Sequence, residues 1–175
     1  MADSISIRRV ERFGEHEISG LCDVLVDCVE GGASVSFMLP MTRAKAETFW
    51  RGVAASAERG ERLVLVAEDE TGAIIGTVQL ITNLPENQPH RADLAKMLVC
   101  RRARRRGVGS ALLRAAERQA LTVGRTLLVL DTVTGGDAER MYARAGWQVC
   151  GQIPRYALFP NGEPCSTTVF YKLLS

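Results

Sequence analysis

The stretch Met97-Leu-Val-Cys-Arg-Arg-Ala-Arg-Arg-Arg-Gly-Val-Gly-Ser-Ala-Leu-Leu113 decides the fold of this chain. An apolar run ends in a turn with five arginines in the six residues 101–106, and Gly107 and Gly109 then open a helix. The inner face of that helix is Val108, Ala111, Leu112, Ala115 and Ala116, spaced by threes and fours, and Gly124 closes it. A strand, turn and helix of this composition suit anion capture. The first turn of a helix has N–H groups without intrahelical partners and the positive end of the macrodipole. Glycine there lets a diphosphate approach the backbone with no Cβ in the way. Arginines beside it add charge-assisted bonds to phosphate.

Upstream of this stretch, Ile5–Val10 has the pattern of a short strand. Ile18, Leu21, Cys22, Leu25 and Val29 fall on one helical face that ends at Gly31-Gly32. A second stripe runs through Ala46, Phe49, Trp50, Val53, Ala54 and Ala57, and the apolar loop GGASVSFMLP, 31–40, lies between the two. Arg62–Asp69 and Ala73–Thr82 flank Thr71-Gly72 as an antiparallel hairpin, whose Glu68, Asp69 and Glu70 are expected to be solvated. Ala92–Cys100 is a strand in which period-two alternation places Asp93, Ala95, Met97 and Val99 on one face.

Downstream, Thr126–Thr132 is a continuous apolar run, the pattern of a strand covered on both faces. A short helix from Asp137 to Ala145 follows. Two last strands, near Trp147–Leu158 and Ser166–Leu173, are joined at Pro160-Asn161-Gly162. The order is β-α-α-β-β-β-α-β-α-β-β, an α/β chain with a mixed α+β sheet and helices on both faces. Trp50 and Trp147 are assigned to the core.

The 175 residues carry 46% hydrophobic and 24% charged side chains with net charge +2. That predicts one globular domain, 1–175, and excludes disordered, fibrous and membrane-spanning classes. Charges where a signal peptide needs its apolar core predict no secretion signal. Five widely spaced cysteines (Cys22, Cys28, Cys100, Cys150, Cys165) and two histidines match no zinc spacing. Reduced thiols, a cytoplasmic setting and no metal are expected.

Three other readings of the glycine–arginine segment stand beside anion capture by a coenzyme. Gly-x-Gly alone is common at helix starts. The arginine run also suits a solvated patch or a nucleic-acid contact, although no aromatic residues interleave with it. A dinucleotide-binding turn would want a third glycine where Leu112 stands. A P-loop is excluded, because no Gly-Lys-Ser/Thr is present.

Val99 and Arg104-x-x-Gly107-x-Gly109 resemble the acetyl-coenzyme A motif of the GNAT N-acetyltransferases, and the element order is similar to theirs over nearly the whole chain. Ala138-x-x-x-Tyr142-x-x-x-Gly146-Trp147 resembles their second signature, which places the tyrosine near the coenzyme sulfur. Many members have Asn where this chain has Gly135, which removes one expected pantetheine contact. Gly31-Gly-Ala-Ser-Val-Ser-Phe-Met38, His90-Arg-Ala-Asp93, Lys96 and Leu130-Asp-Thr132 resemble the tabtoxin resistance acetyltransferases of that family, which acetylate an amine of a β-lactam amino-acid toxin.

The resemblance implies acetyl-coenzyme A as co-substrate, with direct transfer to an amine in a ternary complex. The coenzyme set would be Met97, Leu98, Val99, Arg104, Arg105, Arg106, Gly107, Val108, Gly109, Ser110 and Ala138. Backbone groups of 97–99 would pair with pantetheine as an added strand would. Tyr142 would protonate the leaving thiolate, and Asp93 and Asp131 would bind the acceptor ammonium and take its proton. Gly32, Ala33, Ser34, Val35, Phe37 and Arg91 would line the acceptor pocket. The expected partner is a small-molecule amine rather than nucleic acid or membrane, with the chain a monomer or homodimer. A protein or peptide N-terminus as acceptor, and a non-catalytic coenzyme-sensing or nucleic-acid-binding module, are the alternatives.

Overall fold

The computed structural model describes residues 5–175; the first four residues of the charged N-terminal stretch, where the secretion-signal reading begins, lie outside them. The period-two stretches form strands β1 (Ser6–Arg9), β2 (Arg62–Glu68), β3 (Ile74–Ile81), β4 (Arg91–Val99), β5 (Leu127–Val133), β6 (Gln148–Leu158) and β7 (Pro164–Leu173). The helical stripes form α1 (Glu15–Glu30), α2 (Arg43–Glu58), α3 (Val108–Thr122) and α4 (Asp137–Arg144). The predicted order of elements is the observed one.

The strands make one sheet in the order β1-β2-β3-β4-β5-β7-β6. β1 to β4 form an antiparallel meander, β5 joins β4 in parallel through the α3 crossover, and β7 and β6 continue antiparallel. Gly76 shows which helices lie on which face: a Cβ there would meet Val108 and Leu112 of α3 at 3.2 and 3.1 Å. Gln79, three residues on and therefore on the other face, accepts a bond from Arg62, which reaches Ser56 of α2. So α1 and α2 cover one face, and α3 and α4 cover the other. Trp50 and Trp147 are core, as expected, and Tyr142 packs its ring between Trp147 and Phe170.

Three expectations are corrected. Ala95 of β4 pairs with Gln79 but Leu98 pairs with Thr77, so the strand carries one extra residue and the alternation slips. Lys96, at φ +51°, sits at the slip, and Asp93 does not share a face with Met97 and Val99. β5 is buried at Leu128 and Leu130 but only half-buried at Leu127 and Val129, because α1 packs chiefly on β3 and β4. One face of β5 is therefore open rather than covered. Glu68 and Asp69 are tied down rather than solvated: Glu68 accepts from Arg8, and Asp69 accepts from Thr71, Ala73 and Arg102.

Four of the five cysteines are buried, Cys150 is exposed, and all are free thiols. Among the described residues no helix is long and apolar enough to cross a membrane.

Candidate active site

β4 and β5 pair only over Arg91–Asp93 and Leu127–Val129, then part. The parting follows from the slip at Lys96, which twists β4 away from its neighbour. Backbone groups on the inner edges of the two strands are left facing a gap. Cys100 N–H donates to Ile75 O across the β3 ladder, and Leu98 pairs directly with Thr77. Alternation therefore turns Leu98's N–H and C=O toward β3 and those of Val99 toward the gap. Of the expected pantetheine trio, Leu98 has its backbone engaged elsewhere, whereas Val99 presents its own. Val99 O accepts weak bonds from Cys28 Sγ at 3.4 Å and Arg104 Nε at 3.2 Å.

The turn after β4 is a single 3₁₀ turn, Arg101–Ala103, then Arg105 at φ +60° and Gly107 at φ +81°. Gly107 caps α3 in the left-handed region, and a Cβ there would meet open space. The first bond inside α3 is Ala111 N–H to Gly107 O, so the N–H groups of Val108, Gly109 and Ser110 precede the helix ladder. Val108's side chain is buried under Gly76, which leaves only its backbone for a ligand. Gly109 serves a second purpose: its Cβ would lie 3.0 Å from Met141 Sδ, so its absence lets α4 close on α3. Arg104 curls back to Val99 O instead of reaching outward, and the charges of Arg104 and Arg105 are both felt by Asp137 at the start of α4. Arg106 completes the run, and Ala138 packs partly buried against the core.

On the α3/α4 side of the gap stands Tyr142, 3% exposed. Burial, and secondarily the charge of Asp131, push its phenol well above the ordinary tyrosine range. Among the described residues its hydroxyl has no hydrogen-bond partner. On the α1/α2 side stand Asp93 and Asp131. Asp93 pairs in register with Val129, and Val129 and Asp131 lie two apart, so the two carboxylates share a face. Burial pushes Asp93 up, Arg91 pulls it down through charge and a hydrogen bond, and Asp131 adds to the rise. Asp131 is exposed and accepts from Thr167 Oγ1 at 2.9 Å. Asp131 thus lies within electrostatic reach of Tyr142 on one side and of Asp93 and Lys96 on the other.

The expected acceptor loop packs more closely than a pocket wall requires. Ala33, Val35 and Phe37 lie against the core, and Ser34 Oγ donates to Leu158 O at 2.8 Å. Phe37 meets Phe49 edge-on at 5.2 Å, and Gly32 holds φ +90°. Arg91 bonds Gln88 and Asp93, so it serves the carboxylate first.

Sequence reasoning missed two braces. Asp27 of α1 clamps Arg101 at the turn after β4. Glu139 accepts from Gly135 N–H at 2.5 Å and from Thr168 Oγ1 at 2.6 Å, which fixes the start of α4 to β7 and so seats Tyr142. An acid in the first turn of α4 is a helix-start signal that points to Glu139. Nothing local points to Asp27.

Residues 33–147 match the model of the Acetyltransferase (GNAT) family. The chain belongs to the GNAT acetyltransferase family. This acetyltransferase is 30% identical over 129 residues to an N-acetyltransferase of the hisH-hisA intergenic region of Azospirillum brasilense, covering 73% of this chain and 74% of the relative. Its fold matches a GNAT superfamily phosphinothricin acetyltransferase from Sinorhizobium meliloti, solved in complex with acetyl-coenzyme A, at TM-score 0.78 and 16% identity over 100% of this chain and 90% of that one. It also matches a ribosomal-protein-alanine N-acetyltransferase from Brucella melitensis, at TM-score 0.78 and 23% identity over 97% and 99% of the two chains.

Proposed function

We propose that this GNAT enzyme transfers the acetyl group of acetyl-coenzyme A to the amine of a small molecule, in a ternary complex without a covalent enzyme intermediate. The parting of β4 and β5 carries the reading. It opens a gap with Val99's backbone on its edge, the free N–H groups of α3 at one end and Tyr142 at its side. The residues present fit the donor: the open space over Gly107 accommodates a diphosphate, and the Val99 edge accommodates an extended amide chain. Backbone N–H groups of Gly107 to Ser110 hold the diphosphate, and Arg104 and Arg105 supply charge beside it.

The bound donor supplies an activated acetyl thioester. Asp131 and Asp93 hold the acceptor ammonium on the α1/α2 side and take its proton, directly or through water. The freed nitrogen bonds to the acetyl carbon as the carbon–sulfur bond breaks. Tyr142, kept protonated by burial, gives its proton to the sulfur and regains one from solvent. Donor and acceptor thus approach from opposite faces of one sheet and meet where its strands separate.

The resemblance of the 31–38 loop to tabtoxin resistance acetyltransferases supports a toxin or antibiotic as acceptor. Buried free thiols suit a reducing, cytoplasmic setting. The test is release of coenzyme A thiol with acetyl-coenzyme A and a panel of toxin amino acids, β-lactams, polyamines, aminoglycosides and N-terminal peptides. Turnover of small amines above peptides is expected. Peptide turnover alone overturns the acceptor class, and no turnover of any amine overturns the enzyme reading.

A further inference from the structure

Of the non-glycine residues that hold left-handed backbone near the site, Ser36 at φ +80° and Lys96 at φ +51° are bonded to each other. Lys96 Nζ donates to Ser36 Oγ at 3.0 Å and lies 5.8 Å from the ring centre of Phe49. Side chains rarely adopt this backbone region unless the surroundings impose it, and such outliers gather where position matters. Here the strain on β4 is what swings Lys96 out of the strand alternation and onto the α1/α2 face. That is the face of Asp93 and Asp131.

The ammonium is poorly satisfied there. It has three N–H donors, and Ser36 takes one. Among the described residues no carboxylate lies within 4.0 Å of it, although burial lowers its proton affinity and Arg62 adds repulsion. Asp131 is close enough to attract it but not to pair with it. A half-buried cation without an anion in contact is costly, and the ordinary remedy is an ion pair. The chain does not supply the partner, so the acceptor can.

We propose that Lys96 is a specificity-determining residue that binds a carboxylate of the acceptor, whose ammonium is held by Asp93 and Asp131 on the same sheet face. Ser36 aims the lysine, and the Phe37–Phe49 pair packs beside it. An acceptor with both charges then spans from the β4 slip to the end of β5, and its amine is directed at the gap. This rests on the proposed transfer to small amines and narrows it to zwitterionic ones.

The experiment compares wild type, Lys96→Met, Lys96→Arg and Ser36→Ala by thiol release, using free amino acids, the matching carboxamides and simple polyamines. Thermal melts check that each variant folds. Wild type is expected to favour at least one free amino acid over its carboxamide by tenfold or more in kcat/KM. Lys96→Met should raise KM for the acid at least tenfold, change kcat only a few-fold and leave the carboxamide unaffected. Lys96→Arg should restore part of the preference, and Ser36→Ala should weaken it less than Lys96→Met does. Equal use of acid and carboxamide by wild type overturns the proposal while leaving the amine reading intact, as does a preference for polyamines. A fall in kcat for acid and carboxamide alike also overturns it, because that marks a proton acceptor or a structural part. Absence of turnover with every amine removes the function itself and the proposal with it.

Discussion

Asp27 grips Arg101 twice, with Oδ2 accepting the backbone N–H at 2.7 Å and Oδ1 accepting Nε at 2.9 Å. The pair ties the last turn of α1 to the first residue of the turn after β4. A Cβ on Gly31 would strike Arg101 Cδ at 2.8 Å, so the two segments are also in van der Waals contact. The turn proposed to cradle the diphosphate is thus held from behind by the helix that leads into the 31–40 loop.

Asp27→Ala should loosen this turn. Burial raises the Asp27 carboxyl, but the bonds from Arg101 and its charge outweigh that and hold it below the usual aspartate range. A depressed carboxylate contributes stability above its unfolded pKa and loses it as pH falls through the folded value. Thermal melts at neutral pH should show a deficit of about 1–2 kcal/mol for Asp27→Ala. The deficit should shrink below about pH 4, where the unfolded carboxyl takes up its proton. KM for acetyl-coenzyme A should rise with kcat little changed. A deficit equal at both pH values would mean the loss is packing rather than charge.

Gly107 and Gly109 are glycines for different reasons, and alanine separates them. At Gly107 the space is open but φ is +81°, so alanine costs backbone strain of about 1–2 kcal/mol. At Gly109 the φ is ordinary but Met141 Sδ is 3.0 Å from the new Cβ. Met141 is flexible, so Gly109→Ala should fold well while displacing α4, and Tyr142 with it. Calorimetry should find Gly107→Ala the less stable of the two. Kinetics should find Gly109→Ala the one with lower kcat. Gly107→Glu should abolish binding of coenzyme A by bulk and like charge, read by titration.

Much of this fold is legible in the sequence. Thr71-Gly72 and Asn161-Gly162 marked hairpins because turn residues leave a local signature. The helix stripes marked α1 to α3 because burial repeats every three to four residues. The family resemblance pairs Asp93 with Asp131 as acceptor-binding acids, and register puts them on one face. Two features had no local signature. The slip at Lys96 requires a left-handed lysine, which composition does not announce. The insertion of β7 between β5 and β6 is a pairing across more than thirty residues, as Asp131 with Val169, which no window sees. Both follow from tertiary packing, and both shape the gap.

Asp93 should trade stability for activity. Its folded pKa is raised, chiefly by burial and further by Asp131, despite the pull of Arg91. The sign is therefore opposite to that of Asp27: ionised Asp93 lowers stability at neutral pH, and that loss is relieved as pH falls through its folded pKa. Asp93→Asn should leave the melting temperature at neutral pH unchanged or higher. It should also lower kcat/KM by about 10²–10⁴. The acid limb of the wild-type pH profile should lie above the ordinary aspartate value of about 3.9. A marked drop in melting temperature would show that the Arg91–Asp93 ion pair outweighs burial.

Tyr142→Phe isolates the proposed proton donor from the packing around it. The ring packs at 5.7 Å from Trp147 and 5.9 Å from Phe170, and phenylalanine keeps both contacts. The hydroxyl has no partner among the described residues, so removing it forfeits no hydrogen bond of the fold. Stability should stay within about 1 kcal/mol of wild type. Titration of coenzyme A should be unchanged, because backbone groups elsewhere hold the donor. Turnover should fall by about 10²–10⁴, the usual worth of a positioned general acid. Because burial and Asp131 both raise this phenol, it stays protonated across the working range, and the alkaline limb of the wild-type profile belongs to another group. A thioester with a more acidic thiol leaving group needs less help, so the variant should recover part of its rate with one. Unchanged turnover with acetyl-coenzyme A removes Tyr142 from the chemistry and leaves it a core residue.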